Sequence, residues 1–215
     1  MRISHRFKFV YLAITKTGST TVRKLLDPFS DVSSTSNHGE FKHHQKAKDL
    51  RLVFDRNGWQ WDDYFKFTLV RHPISRLRSI HTYMYKTGSN PPTPYHKKDA
   101  MAFYEKCKLY SMKTPSLEEA IMSGSLDFFP PQHAWVTAED ETTLLVNKII
   151  KLEEISQELP KTWSEIGLPA NKLKTIPVTN TSSKRGKELD LEISDKAIAK
   201  IKSNYFKDFT LFNYQ

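Results

Sequence analysis

Only one cysteine, Cys107, occurs in the 215 residues, which excludes an intrachain disulfide and any structural zinc site built on several thiolates. It reads as a half-buried helix residue. Glycine is sparse too, at 7, and proline, at 11, is no more than ordinary, so the chain is neither collagen-like nor a low-complexity linker. No apolar run approaches the ~20 residues that a membrane span requires. The run from Phe9 to Ile14 has the length of a strand, and the basic stretch Met1 to Lys8 before it lacks the longer apolar segment and cleavage site of a secretory signal. A cytoplasmic protein without stable membrane insertion is the expectation. No set of Cys, His and carboxylate residues has metal-ligand spacing, so no metal site is expected either. There is no long-period repeat.

What the chain does have is 38% apolar residues and 12% aromatics, enough for one hydrophobic core and a single domain over residues 1–215. Thirty-three Lys and Arg against 24 Asp and Glu give a net charge of +9, which favours polyanionic partners: nucleotide phosphates, nucleic acid, acidic polysaccharide or a membrane surface. The sign alone does not choose among them.

The stretch Phe7 to Ile14 is β-branched and aromatic and gives way to a Thr/Gly/Ser turn and then to Thr21-Val22-Arg23-Lys24-Leu25-Leu26, a strand-loop-helix unit. Residues 30–46 are polar and read as a mobile loop feeding a short helix, Asp49 to Phe54, stopped by Asn57-Gly58. Tyr64 to Val70 is a second apolar strand, and Pro73 suits the first turn of a helix reaching about Tyr85. Residues 86–98 hold three prolines and read as a long connection and candidate lid. Later pieces are a helix at 116–122, a strand at 143–151, and helices at 153–166 and 194–205. Strands alternating with helices predict an α/β fold with a mostly parallel, covered sheet.

Between the first strand and its helix stand Lys16, Thr17, Gly18, Ser19, Thr20 and Thr21. Backbone N–H groups at a helix start lack intrahelical partners and face the strand end, where the helix dipole favours an anion. Gly18 permits close backbone approach, Ser19, Thr20 and Thr21 add hydroxyls, and Lys16 adds a point charge. A nucleotide triphosphatase loop would carry glycine before the lysine; here glycine follows it. The second unit ends Leu69-Val70-Arg71-His72-Pro73-Ile74-Ser75-Arg76-Leu77-Arg78-Ser79, putting Arg71, whose planar fork suits a phosphate, at the strand end and Ser79 on the helix beyond. Arg76 and Arg78 read as the solvated face of that helix.

Together these segments resemble the PAPS-dependent carbohydrate sulfotransferases, the type that includes the chondroitin, dermatan and heparan 2-O enzymes and small bacterial relatives. Lys16-Thr17-Gly18-Ser19-Thr20-Thr21 is similar to that family's 5'-phosphosulfate loop, and Val70-Arg71-x-Pro73-x-x-Arg76-x-x-Ser79 to its 3'-phosphate motif. Weaker echoes are Trp61 to Phe65, Phe129-Pro130-Pro131-Gln132, Lys151-Leu152-Glu153, Asn180-Thr181-Ser182 and Tyr205 to Tyr214. The resemblance implies a P-loop-like central parallel sheet flanked by helices, 3'-phosphoadenosine-5'-phosphosulfate (PAPS) as donor, adenosine 3',5'-bisphosphate as product, no metal, and a carbohydrate or polysaccharide acceptor that can itself be anionic, not nucleic acid. It also makes Lys16 the bridge between donor and acceptor. His72 stands where relatives often carry Asn or Asp, and the membrane anchor and paired cysteines of the Golgi members are absent.

Sulfuryl transfer needs in-line geometry, charge stabilisation on the leaving oxygen and removal of the acceptor's hydroxyl proton. A histidine suits the last role, and the chain has eight. The His-x-x-Ala-x-x-Leu spacing of the relatives falls on His44, Ala47 and Leu50, which makes His44 the candidate base ahead of His43, with His38 and His133 in reserve. Two rivals remain at this level: a non-catalytic polyanion binder, and a nucleotide kinase, which would need magnesium. The loop 180–187, with Lys184 and Arg185, is a candidate lid.

Overall fold

The computed structural model describes residues 1–33, 40–90, 98–113, 115–173 and 192–215. The chain divides into two compact units, the first comprising Met1–His72, Pro131–Asn180 and Lys207–Gln215, the second Pro73–Pro130 and Thr181–Phe206. Among the described residues no helix is long and apolar enough to cross a membrane.

The first unit is built on a five-stranded sheet of β1 (Arg2–Ser4), β2 (Phe9–Leu12), β3 (Val32–Ser33), β4 (Phe65–Val70) and β5 (Lys148–Lys151), in the order β3-β1-β2-β4-β5. The sheet is mixed. β2, β4 and β5 run parallel, as the alternation of strands and helices predicts, but β1 pairs antiparallel with both β2 and β3. The expectation of a mostly parallel sheet therefore holds for one half only: the basic start of the chain folds back as a hairpin strand, and part of the polar stretch after residue 30 adds an edge strand.

Side-chain alternation along β2 sorts the core into two layers, since successive residues of a strand face opposite ways. Val10 and Leu12 join a cluster with Ile3, Leu50, Phe54, Trp61 and Tyr64, which seats α2 (Ala47–Arg56) on one face. Phe9, Tyr11 and Ala13 join Val22, Leu26, Phe67, Leu159 and Trp163, which seats α1 (Ser19–Leu26) and α7 (Ile155–Glu165) on the other. Both faces are covered, which is why β2 and β4 are apolar at nearly every position. At the sheet's carboxyl edge, Ile14 and Val70 pack with Trp135 and Val136 of α6 (His133–Val136) and with Phe212, which follows α9 (Phe206–Leu211).

The second unit is helical: α3 (Pro73–Ser89), α4 (Lys98–Lys113), α5 (Leu117–Met122) and α8 (Asp195–Asn204). α3 starts at Pro73 as expected but continues to Ser89, into the segment 86–98 read as a connection and candidate lid; residues 91–97 of that segment lie outside the described residues, and α4 begins at Lys98. Gly88 is where α3 and α4 close on each other; a Cβ there would lie 2.1 Å from the carbonyl oxygen of Cys107. Cys107, read as half-buried, is fully buried for this reason. Ser116 caps α5 by a reciprocal pairing with Glu119, and Glu118 accepts from both the backbone N–H and the hydroxyl of Ser194, which caps α8.

Candidate active site

Because β2, β4 and β5 are parallel, with Leu12 opposite Thr68 and Val70 opposite Lys151, the loop from Thr15 to Gly18, Arg71 and the segment Leu152-Glu153 all leave the sheet at the same carboxyl edge, where ligands of open α/β sheets bind. In the loop, φ is +66° at Lys16 and +77° at Gly18, with Thr17 between them not left-handed. Alternation of this kind turns successive N–H groups into an anion-binding concavity. A left-handed lysine costs on the order of 1 kcal/mol. Gly18 is the N-cap of α1, and no side chain caps that end or places an acid in its first turn. A Cβ on Gly18 would meet Leu152 Cδ1, just past β5, at 2.7 Å, and at φ +77° a side chain would be strained in any case.

The hydroxyls divide. Thr17 is buried and its Oγ1 donates to Ile14 O at 3.1 Å, so it braces the loop. Ser19 and Thr21 are buried at the helix start, while Thr20 is exposed and its Oγ1 accepts from Arg23 Nη2 at 3.3 Å.

Arg71 is half-buried, and among the described residues its guanidinium forms no ion pair. Burial draws its pKa below the ordinary guanidinium value, with Glu153 opposing. Around it, His72 N donates to Glu153 Oε1 at 3.0 Å and Tyr214 OH to Glu153 Oε2 at 3.1 Å, while Lys151 Nζ donates to Asn213 O at 2.9 Å. Burial, then Glu153, pushes the Tyr214 hydroxyl up, so it keeps its proton and remains a donor. The His72 ring packs edge-on against Phe209 and Tyr214. His72 is accommodated by the chain's last turn.

The two adjacent histidines differ in tautomer. His44 Nδ1 lies 2.7 Å from Ala13 O; a carbonyl only accepts, so Nδ1 carries the hydrogen and the neutral ring's lone pair sits on Nε2. His43 Nδ1 lies 2.6 Å from Arg23 Nη1; an arginine only donates, so the His43 lone pair is occupied. Burial lowers both pKa values, that of His44 to about 4 against the raising effect of its bond to Ala13, that of His43 with Arg23 adding to the drop. Of the pair, His44 is the one whose Nε2 can accept a proton, and its anchor, Ala13, lies just before Lys16.

Within the first unit Lys16 to Thr21 and Arg71 thus follow neighbouring parallel strands at one sheet edge, with His44 bonded to Ala13 beside the loop. Ser79 lies on α3 in the second unit, half-buried. Arg76, expected on a solvated face, is instead 1% exposed and donates to Pro130 O at 3.0 Å; the carbonyl and the packed helix give the charge a partner that the one-dimensional pattern does not display. Arg78 is exposed. His133, a reserve candidate, is buried with Nδ1 donating to Asp208 Oδ1 at 2.8 Å. His38 and the loop 180–187, with Lys184 and Arg185, lie outside the described residues. Gln132 bonds the Arg71 backbone and is itself held by Asp208, and Glu153 and Tyr214 act electrostatically on the Arg71 guanidinium; in the sequence all four stand only within the weaker echoes.

A family model described as "Sulfotransferase family" matches residues 1–215 of the chain. No curated protein and no solved structure is significantly similar to it.

Proposed function

The chain belongs to the sulfotransferase family, and we propose that it moves a sulfuryl group from PAPS to a hydroxyl of a carbohydrate or polysaccharide, with residues 1–215 acting as one catalytic domain in the cytoplasm. The observation that carries this reading is the shared sheet edge: an uncapped helix N-terminus behind Lys16 and Gly18, and a half-buried Arg71 without an ion pair among the described residues. Two anion-receptive groups on neighbouring strand exits fit a donor with two separate phosphate positions. When bound, PAPS supplies an activated sulfuryl group on a phosphate that can leave.

The chain's own residues do the rest. Lys16 and the N–H groups of a P-loop-like turn, with the hydroxyls of Ser19, Thr20 and Thr21, hold the 5'-phosphate and stabilise the charge that develops there. Thr17 holds the loop in shape. Arg71 grips the 3'-phosphate through its planar pair of donors, and the sequence motif assigns Ser79 to the same group. His44 Nε2 receives the acceptor's hydroxyl proton. The positive charge is supplied by side chains and helix dipole, so no metal is required.

Transfer of label from PAPS carrying radioactive sulfate to a panel of glycans, phenols and lipids, with and without EDTA, tests the proposal directly. Labelled glycan, undiminished by EDTA, is the expected result; phenol or lipid as sole acceptor would overturn the carbohydrate assignment, and loss in EDTA restored by magnesium the metal-free one. In a parallel melt, adenosine 3',5'-bisphosphate should raise the Tm well above the shift from ATP at equal concentration. Equal shifts would favour a nucleotide kinase.

A further inference from the structure

Arg71 is the first residue past β4, and the ladder to β5 stops at Val70 and Lys151. A residue in that position has an N–H and a C=O that the sheet leaves unpaired, and buried backbone groups require partners. One side chain supplies both. Arg71 N donates to Gln132 Oε1 at 2.8 Å, and Gln132 Nε2 donates to Arg71 O at 2.8 Å, so the primary amide stands in for a strand residue and lengthens the ladder by one position.

Gln132 has no freedom of its own. It is 0% exposed, its backbone N donates to Asp208 Oδ2 at 2.8 Å, and its second amide hydrogen reaches the same oxygen at 3.4 Å. Asp208, likewise 0% exposed, uses Oδ1 to accept from His133 N and His133 Nδ1, each at 2.8 Å. The amide orientation is determined by chemistry: its oxygen faces an N–H, and its NH₂ faces two acceptors. A fully buried carboxylate with four donors around it is an expensive arrangement to maintain for packing alone.

We infer that Gln132, locked by Asp208, is a positioning residue that fixes the Arg71 backbone and so lets the enzyme distinguish nucleotides with a 3'-phosphate from those without. The inference rests on the assignment of Arg71 to the 3'-phosphate. A guanidinium bonds a phosphate bidentately only when its approach is held, and misplacement by an ångström is costly. Gln132 does not touch the nucleotide in this account; it acts through Arg71.

The test uses the full chain and two probes, adenosine 3',5'-bisphosphate and adenosine 5'-phosphate, titrated calorimetrically against wild type, Gln132→Met, Arg71→Ala and the double variant. Methionine keeps the volume and removes both hydrogen bonds to Arg71, along with the long one to Asp208. Gln132→Met should weaken the bisphosphate about 10-fold and the 5'-phosphate less than about 2-fold, and should add less than about 2-fold on top of Arg71→Ala. Equal weakening of both probes, or full additivity in the double variant, would overturn the inference alone. If Arg71→Ala itself leaves the preference for the bisphosphate intact, the Arg71 assignment falls and the inference with it. Should Gln132→Met melt too low to titrate, hydrogen exchange on the unaltered protein decides: the Arg71 amide should be protected before any nucleotide is added, and fast exchange that slows only with bisphosphate would refute the clamp.

Discussion

Replacing His44 with alanine should lower kcat by about 10²-fold or more while changing nucleotide affinity little, because a positioned general base contributes that much and does not hold the donor. The pH dependence makes the test specific. The His44 pKa lies at about 4 rather than 6.5, chiefly through burial, so the free enzyme keeps the neutral ring throughout pH 5 to 8. The profile of kcat/KM for the donor, which reports free-enzyme groups, should therefore show no acid limb near pH 6.5 from this residue. A bound polyanion beside the ring favours imidazolium and raises its pKa. The acid limb in kcat should accordingly sit at higher pH than that in kcat/KM. Stability follows the same linkage: as pH falls from about 6.5 towards 4, the unfolded chain takes up a proton that folded His44 refuses, so the protein loses stability over that window, and His44→Ala should flatten the loss. Near-normal turnover in His44→Ala, with collapse in His133→Ala, would instead move the base to the His133 and Asp208 pair.

The parts of the fold that could be read in advance are those whose burial is complete. β2 is a continuous apolar run buried at every position, and β4 departs from one only at Lys66 and Thr68, both of them buried, so their places were evident, as was the start of α3 at Pro73. β1 and β3 were not. Arg2-Ile3-Ser4 looks like a basic leader, yet Arg2 is buried because Asp27 pairs with it, a partner remote in sequence. Val32-Ser33 is two residues of strand inside a polar stretch and exists only by pairing with β1. α4 escaped because apolar side chains lie on more than one face: Cys107 and Tyr110 are buried while Met101, Leu109 and Met112 are exposed, which blurs the helical period.

At the site, local chemistry was legible and tertiary chemistry was not. The turn at Gly18, which proves to be left-handed, and the exit of Arg71 from a strand follow from short motifs. The residues that shape Arg71's surroundings, Gln132, Glu153 and Asp208, come from three distant segments that the sequence marked only as weak family echoes, with nothing to say which residue in each meets Arg71. Gln132 follows two prolines and precedes a helix of four residues, a context that predicts a turn and nothing more. His44 is an intermediate case. Spacing favoured it over His43; the opposed bonds to Ala13 and Arg23, which leave the two rings with their lone pairs on different nitrogens, have no counterpart in the spacing.

Lys16→Ala should lower kcat by about 10²- to 10³-fold and raise the donor Kd less than about 10-fold, the signature of an interaction that strengthens as charge develops on the leaving phosphate. Arg71→Ala should do the converse, raising donor KM with kcat nearly unchanged, because the 3'-phosphate carries the same charge before and during transfer. Backbone strain could confound the first variant, since alanine at φ +66° keeps the unfavourable left-handed conformation. Lys16→Gly separates the two effects: glycine adopts that φ without cost, so a glycine variant as slow as the alanine variant assigns the loss to the missing ammonium, and a glycine variant with near-normal kcat assigns it to loop geometry. Lys16→Arg returns the charge in a different shape, and partial recovery of kcat is expected. If Lys16→Ala changes only the donor KM, Lys16 serves ground-state binding, and the helix N–H groups behind Gly18 would carry the transition-state stabilisation alone.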